Sequence, residues 1–322
     1  MATEAPPATS RPAPARTPGA GQGGGGRPAS TRRARSRREG SPVARIAAFW
    51  LLAMVSILMI TPFAWMVLSS LRDPSQAASG ALLPDSPRWR NYLDALTAAP
   101  FLTYARNSFF IATGHTVINV VLASMAGYAL ARLPFRGSKV LFFGFIGAIM
   151  IPMYTIVVPQ FILVRSMPFF GGNDILGQGG TGWLDSWWAL IIPGAMSPVS
   201  VFLFRQFYLG VPRELSEAAR IDGANEFTIW ARIVTPQIRP AIITVALLTF
   251  QTGWTNFLWP LLVTGREDLR VLQVGLASFQ QENTTQWELL MAGTAMATVP
   301  MIVLFVLAQR YFVNSLAHVG IK

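Results

Sequence analysis

The sequence predicts an all-α integral membrane protein with six transmembrane helices, on three observations. Only 13% of the 322 residues are charged and 52% are apolar, whereas soluble domains carry about 25% charged residues. Six stretches contain no Asp, Glu, Lys or Arg: 46–71, 107–131, 140–164, 187–204, 240–263 and 289–309. Each is near the ~20 residues that a helix needs to cross the hydrocarbon core. The fourth extends to 187–209 if Arg205 carries its guanidinium to the interface. Lys and Arg also segregate between alternating loops. An inside N-terminus puts 19 of them on the inner side and 7 on the outer, so both termini are predicted inside and the 210–236 loop cytoplasmic. Trp50, Trp65, Trp183, Trp187, Trp188 and Trp259 fall near the predicted span ends, where indoles anchor at the membrane interface.

The first 45 residues form a separate region, and 46–322 is read as the membrane domain. Residues 1–45 hold nine Arg against Glu4 and Glu39 and are rich in Pro, Gly, Ala and Ser. Such a composition cannot bury a core and reads as a disordered basic cytoplasmic arm. Nucleic-acid binding is rejected because the arm leads straight into a span; the Arg32–Arg38 cluster suits anionic lipid instead. Arg32-Arg33 is not an export signal, since the apolar run after it is too long and no small-residue cleavage site follows. With no cysteine, disulfides and thiol catalysis are excluded. No phosphate-binding Gly-x-x-x-x-Gly-Lys-Ser/Thr loop occurs, so no cofactor and no ATP site is assigned to this chain.

No span carries an ionisable Asp, Glu, Lys or Arg, so none offers the mid-membrane charge that ion-coupled transport or voltage sensing requires. His115 is read as a hydrogen-bonded packing residue. Uncharged polar residues do occur, and lipid cannot satisfy them. Asn119, Gln160, Gln251 and Asn256 are the candidates for a route taken by a polar, uncharged solute. Pro152 with Pro159, and Pro193 with Pro198, are expected to break the third and fourth spans. The spans supply no carboxylate pair, metal cluster or nucleophile–base set, so the chain is not read as an enzyme.

The loop 210–236 has its own helical pattern. Pro212 suits a helix start, and Glu214 and Glu217 sit where the helix dipole favours anions. Leu215, Ala218 and Asp222 share a face. Asp222-Gly223 is a turn signal, with Gly223 in the left-handed region to end the helix. Asn225 caps a second helix over 226–235, which Pro236 is expected to end before Pro240 opens the fifth span.

The order Glu217-Ala218-Ala219, Gly223, Ile233, Pro236 and Pro240 resembles the EAA motif of ABC-importer permeases. The stretches Trp254-Thr-Asn-Phe-Leu-Trp-Pro-Leu-Leu262, Leu272-Gln-Val-Gly-Leu-Ala-Ser-Phe279, Leu289-Leu-Met-Ala-Gly293 and Gln309-Arg-Tyr-Phe-Val313 are similar to segments of the carbohydrate-uptake branch, of maltose and glycerol-phosphate type. The ending Asn314-Ser-Leu-Ala-His-Val-Gly-Ile-Lys322 and the arm 1–45 depart from that pattern. The resemblance implies a type I importer permease fold in a bacterial plasma membrane. It implies a second homologous permease, two ABC ATPase subunits that hold the ATP and Mg, and an extracytoplasmic sugar-binding protein. On this likeness Glu217, Ala218, Ala219, Asp222, Gly223 and Pro236 couple to the ATPase, and the third to fifth spans are levered from inward to outward facing. The outer loop 264–288, with Gln280, Gln281 and Asn283, would meet the binding protein. A stand-alone channel or facilitator for polar, uncharged solutes is the alternative that the spans alone leave open.

Overall fold

Charge-free apolar sequence with good helix formers folds here as helix throughout, and proline and glycine decide where each helix stops. The computed structural model describes residues 42–77, 83–280 and 285–319. The chain divides into two units, 1–55 and 56–322. The described part of the first is the opening of α1 (Pro42–Ser70), whose side chains Ile46, Phe49, Trp50 and Leu52 are all exposed. An apolar surface of that kind needs lipid or a partner to cover it. The four residues 42–45, assigned above to the arm, are already helical; residues 1–41 lie outside the described part.

In the second unit α1 runs out to Ser70 and is followed by α2 (Pro74–Ala77), α3 (Arg90–Ala98) and α4 (Phe101–Arg132). The third predicted span is a bent pair, α5 (Ser138–Ile149) and α6 (Met153–Arg165), meeting at 106°. Pro152 sits in extended backbone at the bend, while Pro159 stays inside α6. The fourth is also divided, into α7 (Trp187–Ile191) and α8 (Pro198–Leu209). Pro193 contributes no N–H there, Gly194 turns the chain at φ +91, and Pro198 starts α8. Next come α9 (Glu214–Ile221) and α10 (Glu226–Thr228). The last elements are α11 (Arg239–Trp254), α12 (Leu258–Val263), α13 (Leu272–Ala277) and α14 (Trp287–Val319).

Among the described residues four helical stretches are long and apolar enough to cross a bilayer: Val43–Ser70, Phe101–Arg132, Glu226–Trp254 and Trp287–Gln309. Counting the bent pair as one broken span brings the number to five. The fourth expected crossing, 187–209, is divided here into a five-residue and a twelve-residue helix, neither long enough alone to cross. The fifth span begins earlier than expected. Pro236 does not end its helix: π geometry over Ile229–Val234 and 3-10 geometry over Thr235–Ile238 carry the chain past the missing N–H into α11.

Three apolar clusters hold the second unit. One joins α4, α8 and the 229–245 segment around Phe204, Tyr208, Ile229 and Val234, all fully buried. A second joins α3, α4, α11, α13 and α14, and a third joins α4, α6, α7, α12 and α13. Trp259, expected at an interface, is 3% exposed in the third, and its indole N–H donates to Ala189 O. Small residues bring helices close, as membrane helices require. A Cβ on Gly127 would stand 2.7 Å from Phe204 Cβ, and one on Gly253 2.9 Å from Ala112 Cα. Arg205 rests its guanidinium over the Phe142 ring at 3.9 Å.

Asn119 was expected on a solute path, and the structure corrects this. It is 0% exposed and locks three helices together. Its Nδ2 donates to Ser200 Oγ and Thr249 Oγ1 at 2.9 and 2.7 Å, and its Oδ1 accepts from the Ser197 N–H at 2.7 Å. His115 packs as expected, with Nε2 hydrogen-bonded to Gly194 O. Polar contacts between membrane helices average about 0.6 kcal/mol each. Asn119→Leu is therefore expected to cost about 2 kcal/mol over three such bonds, measured by SDS titration of the reconstituted chain.

Candidate functional site

The charged segment after α8 folds as a helix, a tight turn and a second helix. α9 carries Glu214 and Glu217 in its first turn and Arg220 in its last, in agreement with the helix dipole. Its end is a Schellman closure. Gly223 N–H donates to Arg220 O, Ala224 N–H donates to Ala219 O at 2.9 Å, and Gly223 lies at φ +82. The Asn225 side chain then caps the second helix by accepting from Thr228 N–H at 2.8 Å.

The turn is tied on both flanks. Arg220 Nε donates to Glu226 Oε1 at 2.6 Å across it, and this contact raises the guanidinium pKa. The pair is about 40% exposed (39% and 42%), so its worth lies in geometry more than in energy. Tyr128 OH on α4 donates to the other Glu226 oxygen at 2.7 Å. Arg132, at the end of α4, donates to the carbonyls of Tyr208 and Val211 and so holds the end of α8. The fully buried Tyr208 hydroxyl meets Ser124 Oγ, Thr235 Oγ1 and Trp230 Nε1 at 2.6, 2.8 and 3.2 Å. These bonds join the loop to α4 and α8. Tyr128, Arg132 and Tyr208 carry no motif that marks them in the sequence.

The loop residues divide by direction. Ala219 is 7% exposed and packs inward on the first cluster. Expected among the residues that couple to the ATPase, it faces the chain's own core in this structure. Glu217, Ala218, Asp222 and Gly223 are exposed. The Glu217 backbone N–H donates to Arg213 O at 3.1 Å; its carboxylate acts on Arg220 through charge alone and borders a cavity of about 600 Å³ with Arg132 and Arg213. A Cβ at Gly223 would meet nothing within 4 Å. Beside them Ile221 is 87% and Phe227 63% exposed. Pro236 lies inside the continuous 226–254 helix rather than at a boundary.

The expected path residues do not converge on one place. Gln251 and Gln280 border a common cavity of 410 Å³ framed by α11, α13 and α14. Gln160 is half-buried on α6, and Asn256 is half-buried in the break between α11 and α12. Asn119 is sealed in the core. Gln281 and Asn283 lie outside the described residues. No group of three or more His, Cys, Asp or Glu suited to a metal occurs among the described residues.

Known proteins match along nearly the whole chain. The arabinooligosaccharides transport system permease protein AraQ of Halalkalibacterium halodurans is 31% identical over 295 residues, 89% of this chain and 99% of that one. Its counterpart from Bacillus subtilis is 32% identical over 285 residues, 87% and 96% of the two chains. The fold is similar to that in the crystal structure of a bacterial ABC transporter involved in the import of the acidic polysaccharide alginate. That match has a TM-score of 0.70 at 22% identity and covers 84% of this chain and 96% of the other. Residues 119–318 match the family described as binding-protein-dependent transport system inner membrane component. The chain is thus a multi-pass permease subunit and belongs to that family.

Proposed function

We propose that this chain is one of two permease subunits of an ATP-driven sugar importer in a bacterial plasma membrane, and that the 210–236 loop is its ATPase-docking element. Relatives named as arabinooligosaccharide permeases support the solute class. The lack of a phosphate-binding loop in the sequence supports ATP and Mg being held by separate ATPase subunits. The Lys and Arg distribution supports six crossings with both termini cytoplasmic, the divided 187–209 segment serving as one of them. An extracytoplasmic binding protein delivers the sugar.

The observation that carries this reading is the contrast between the two sides of the loop. Outward stand an exposed Glu217, a protruding Ile221 and an unobstructed Gly223. Inward, hydrogen bonds through Tyr128, Tyr208 and Trp230 fasten the loop to α4 and α8. A surface helix with no partner needs no such wiring. A push on α9 is passed to α8 and α11 as a rigid-body displacement, the kind of motion that opens one side of a pathway and closes the other.

Glu217→Lys and Ile221→Asp are expected to release the ATPase and reduce uptake by about tenfold or more, the equivalent of 1.4 kcal/mol or more of lost docking. Both chains should still reach the membrane. Purification from the native host with mass spectrometry of co-purifying proteins tests this. Retention of the ATPase by both variants, or a wild-type chain that conducts solute alone without ATP, would overturn the docking assignment. Gly223→Asn is sharper, because asparagine tolerates the left-handed backbone and a Cβ there meets nothing within 4 Å. Uptake should fall while thermal stability stays within about 1 kcal/mol of wild type. Tyr208→Phe should keep the ATPase bound and lower sugar transported per ATP hydrolysed, measured in proteoliposomes.

A further inference from the structure

A cavity of about 600 Å³ opens between the end of α4 and α9. Three arginines border it: Arg132 from α4, and Arg213 and Arg220 from the two ends of α9, with Ser216 between them. Positions 213, 216 and 220 lie three and four apart, so one stripe of α9 turns toward the cavity. Arg220 is committed, because Glu226 holds it and takes the Tyr128 hydroxyl as well. Among the described residues neither Arg132 nor Arg213 makes an ion pair.

Two donors on residues of the same wall are also idle. Arg132 gives Nη2 to the carbonyls of Tyr208 and Val211, but its Nε is buried and has no hydrogen-bond partner. Ser216 is 2% exposed, and its hydroxyl has none either. Buried polar atoms are nearly always bonded, so two orphans from different helices beside one cavity mark a place for acceptor oxygens. Glu217 borders the cavity as the opposing charge. The two unpaired arginines outnumber it, so the cavity favours an anion. A planar carboxylate offers two oxygens along one direction. A phosphate offers oxygens around a tetrahedron, enough to meet Arg132 Nε, the Ser216 hydroxyl and the Arg213 fork from separate sides. The crossing stretch Phe101–Arg132 ends at this wall, which sets the cavity at headgroup depth, where basic pockets take lipid phosphates. A soluble phosphate ester carries the same group.

We propose that this cavity is a binding site for a phosphate group, held by Arg132, Arg213 and Ser216 and supplied by a lipid headgroup or by a soluble phosphate. The site is built by this chain alone and goes beyond the importer reading. Its occupant bridges the end of a crossing helix to α9.

The chain contains no cysteine, so Pro134→Cys, on the exposed rim of the cavity, introduces a single reporter thiol. The full complex, purified from its own host in detergent, is alkylated with N-ethylmaleimide, and the label on this chain is measured by mass. Inorganic phosphate, glycerol 3-phosphate, short-chain phosphatidylglycerol and the matching neutral diacylglycerol are titrated at constant ionic strength. At least one phosphate probe, at about ten times its dissociation constant, should slow labelling about tenfold. Arg213→Gln and Ser216→Ala should each raise the midpoint about tenfold, the equivalent of 1.4 kcal/mol, and Glu217→Gln, which removes the opposing charge, should lower it. Protection by phosphatidylglycerol where the soluble phosphates do nothing assigns a lipid source; protection by the soluble phosphates assigns a soluble one, and either sustains the site. Arg136→Cys, also exposed, replaces Pro134→Cys if that variant fails to accumulate or to react. Slowing by no phosphate probe, equal slowing by diacylglycerol, or midpoints unchanged in Arg213→Gln and Ser216→Ala would overturn the site. The readout is on this chain, so co-purification of an ATPase, or its absence, bears on the importer reading alone.

Discussion

The contact on which the moving parts of this structure depend is the buried hydroxyl of Tyr208. It lies where lipid and apolar side chains leave no water to complete a polar group, and an unpartnered hydroxyl there costs several kcal/mol. One hydrogen and two lone pairs are matched by three partners, Ser124 on α4, Thr235 at the 3-10 turn and Trp230 in the π turn. Trp230 can only donate, so the tyrosine oxygen accepts from it, donates to one hydroxyl and accepts from the other. Trp230 Nε1 also donates to Ser124 Oγ at 3.0 Å, so the four groups form one cluster that ties these elements together, the property a coupling element needs.

The π and 3-10 turns between Ile229 and Ile238 take their place in the same arrangement. An unbroken α-helix ending at Pro236 would leave the loop free of the fifth span. The wider turns let the backbone absorb the missing proline N–H without a break, so the second loop helix and α11 are continuous. Ile229, Val234 and Ile238 are buried along it, and their packing fixes its rotation. The loop is a prolongation of the membrane helices rather than an appendage to them.

Sequence alone revealed what is local. Gly223 at positive φ, the Asn225 cap and the chain breaks at Pro152 and Pro193 follow from backbone chemistry that no distant neighbour can override. What failed depends on company. Pro236 was read as a stop because a proline inside a helix lacks its donor, but neighbouring geometry supplied a detour. Asn119 was read as a path residue because lipid cannot satisfy an amide; that is true, yet Ser197, Ser200 and Thr249, distant in sequence, satisfy it instead. Ala218 and Ala219 are alike in composition and differ only in which side of α9 they occupy. Tyr208 carried no signal at all, since a tyrosine near a span end reads as an interface anchor.

α4 joins these observations into one device. At one end Ser124, Tyr128 and Arg132 hold the loop and the end of α8. At the other, Asn107 Nδ2 donates to Asp268 O and Arg270 O at 2.8 and 2.9 Å, and Ser108 Oγ accepts from Leu272 N–H at 2.8 Å. Those bonds seat the start of α13, one wall of the 410 Å³ cavity it shares with α11 and α14. The two sets are about 30 Å apart along a helix that rises 1.5 Å per residue, with Gly127 and the Ala112–Gly253 contact allowing close approach to α8 and α11 along the way. A strut fastened at both ends by buried hydrogen bonds cannot tilt at the loop without displacing α13. A displacement of the 210–236 loop would thereby reach α13 through one rigid element, without requiring a chain of separate side-chain rearrangements.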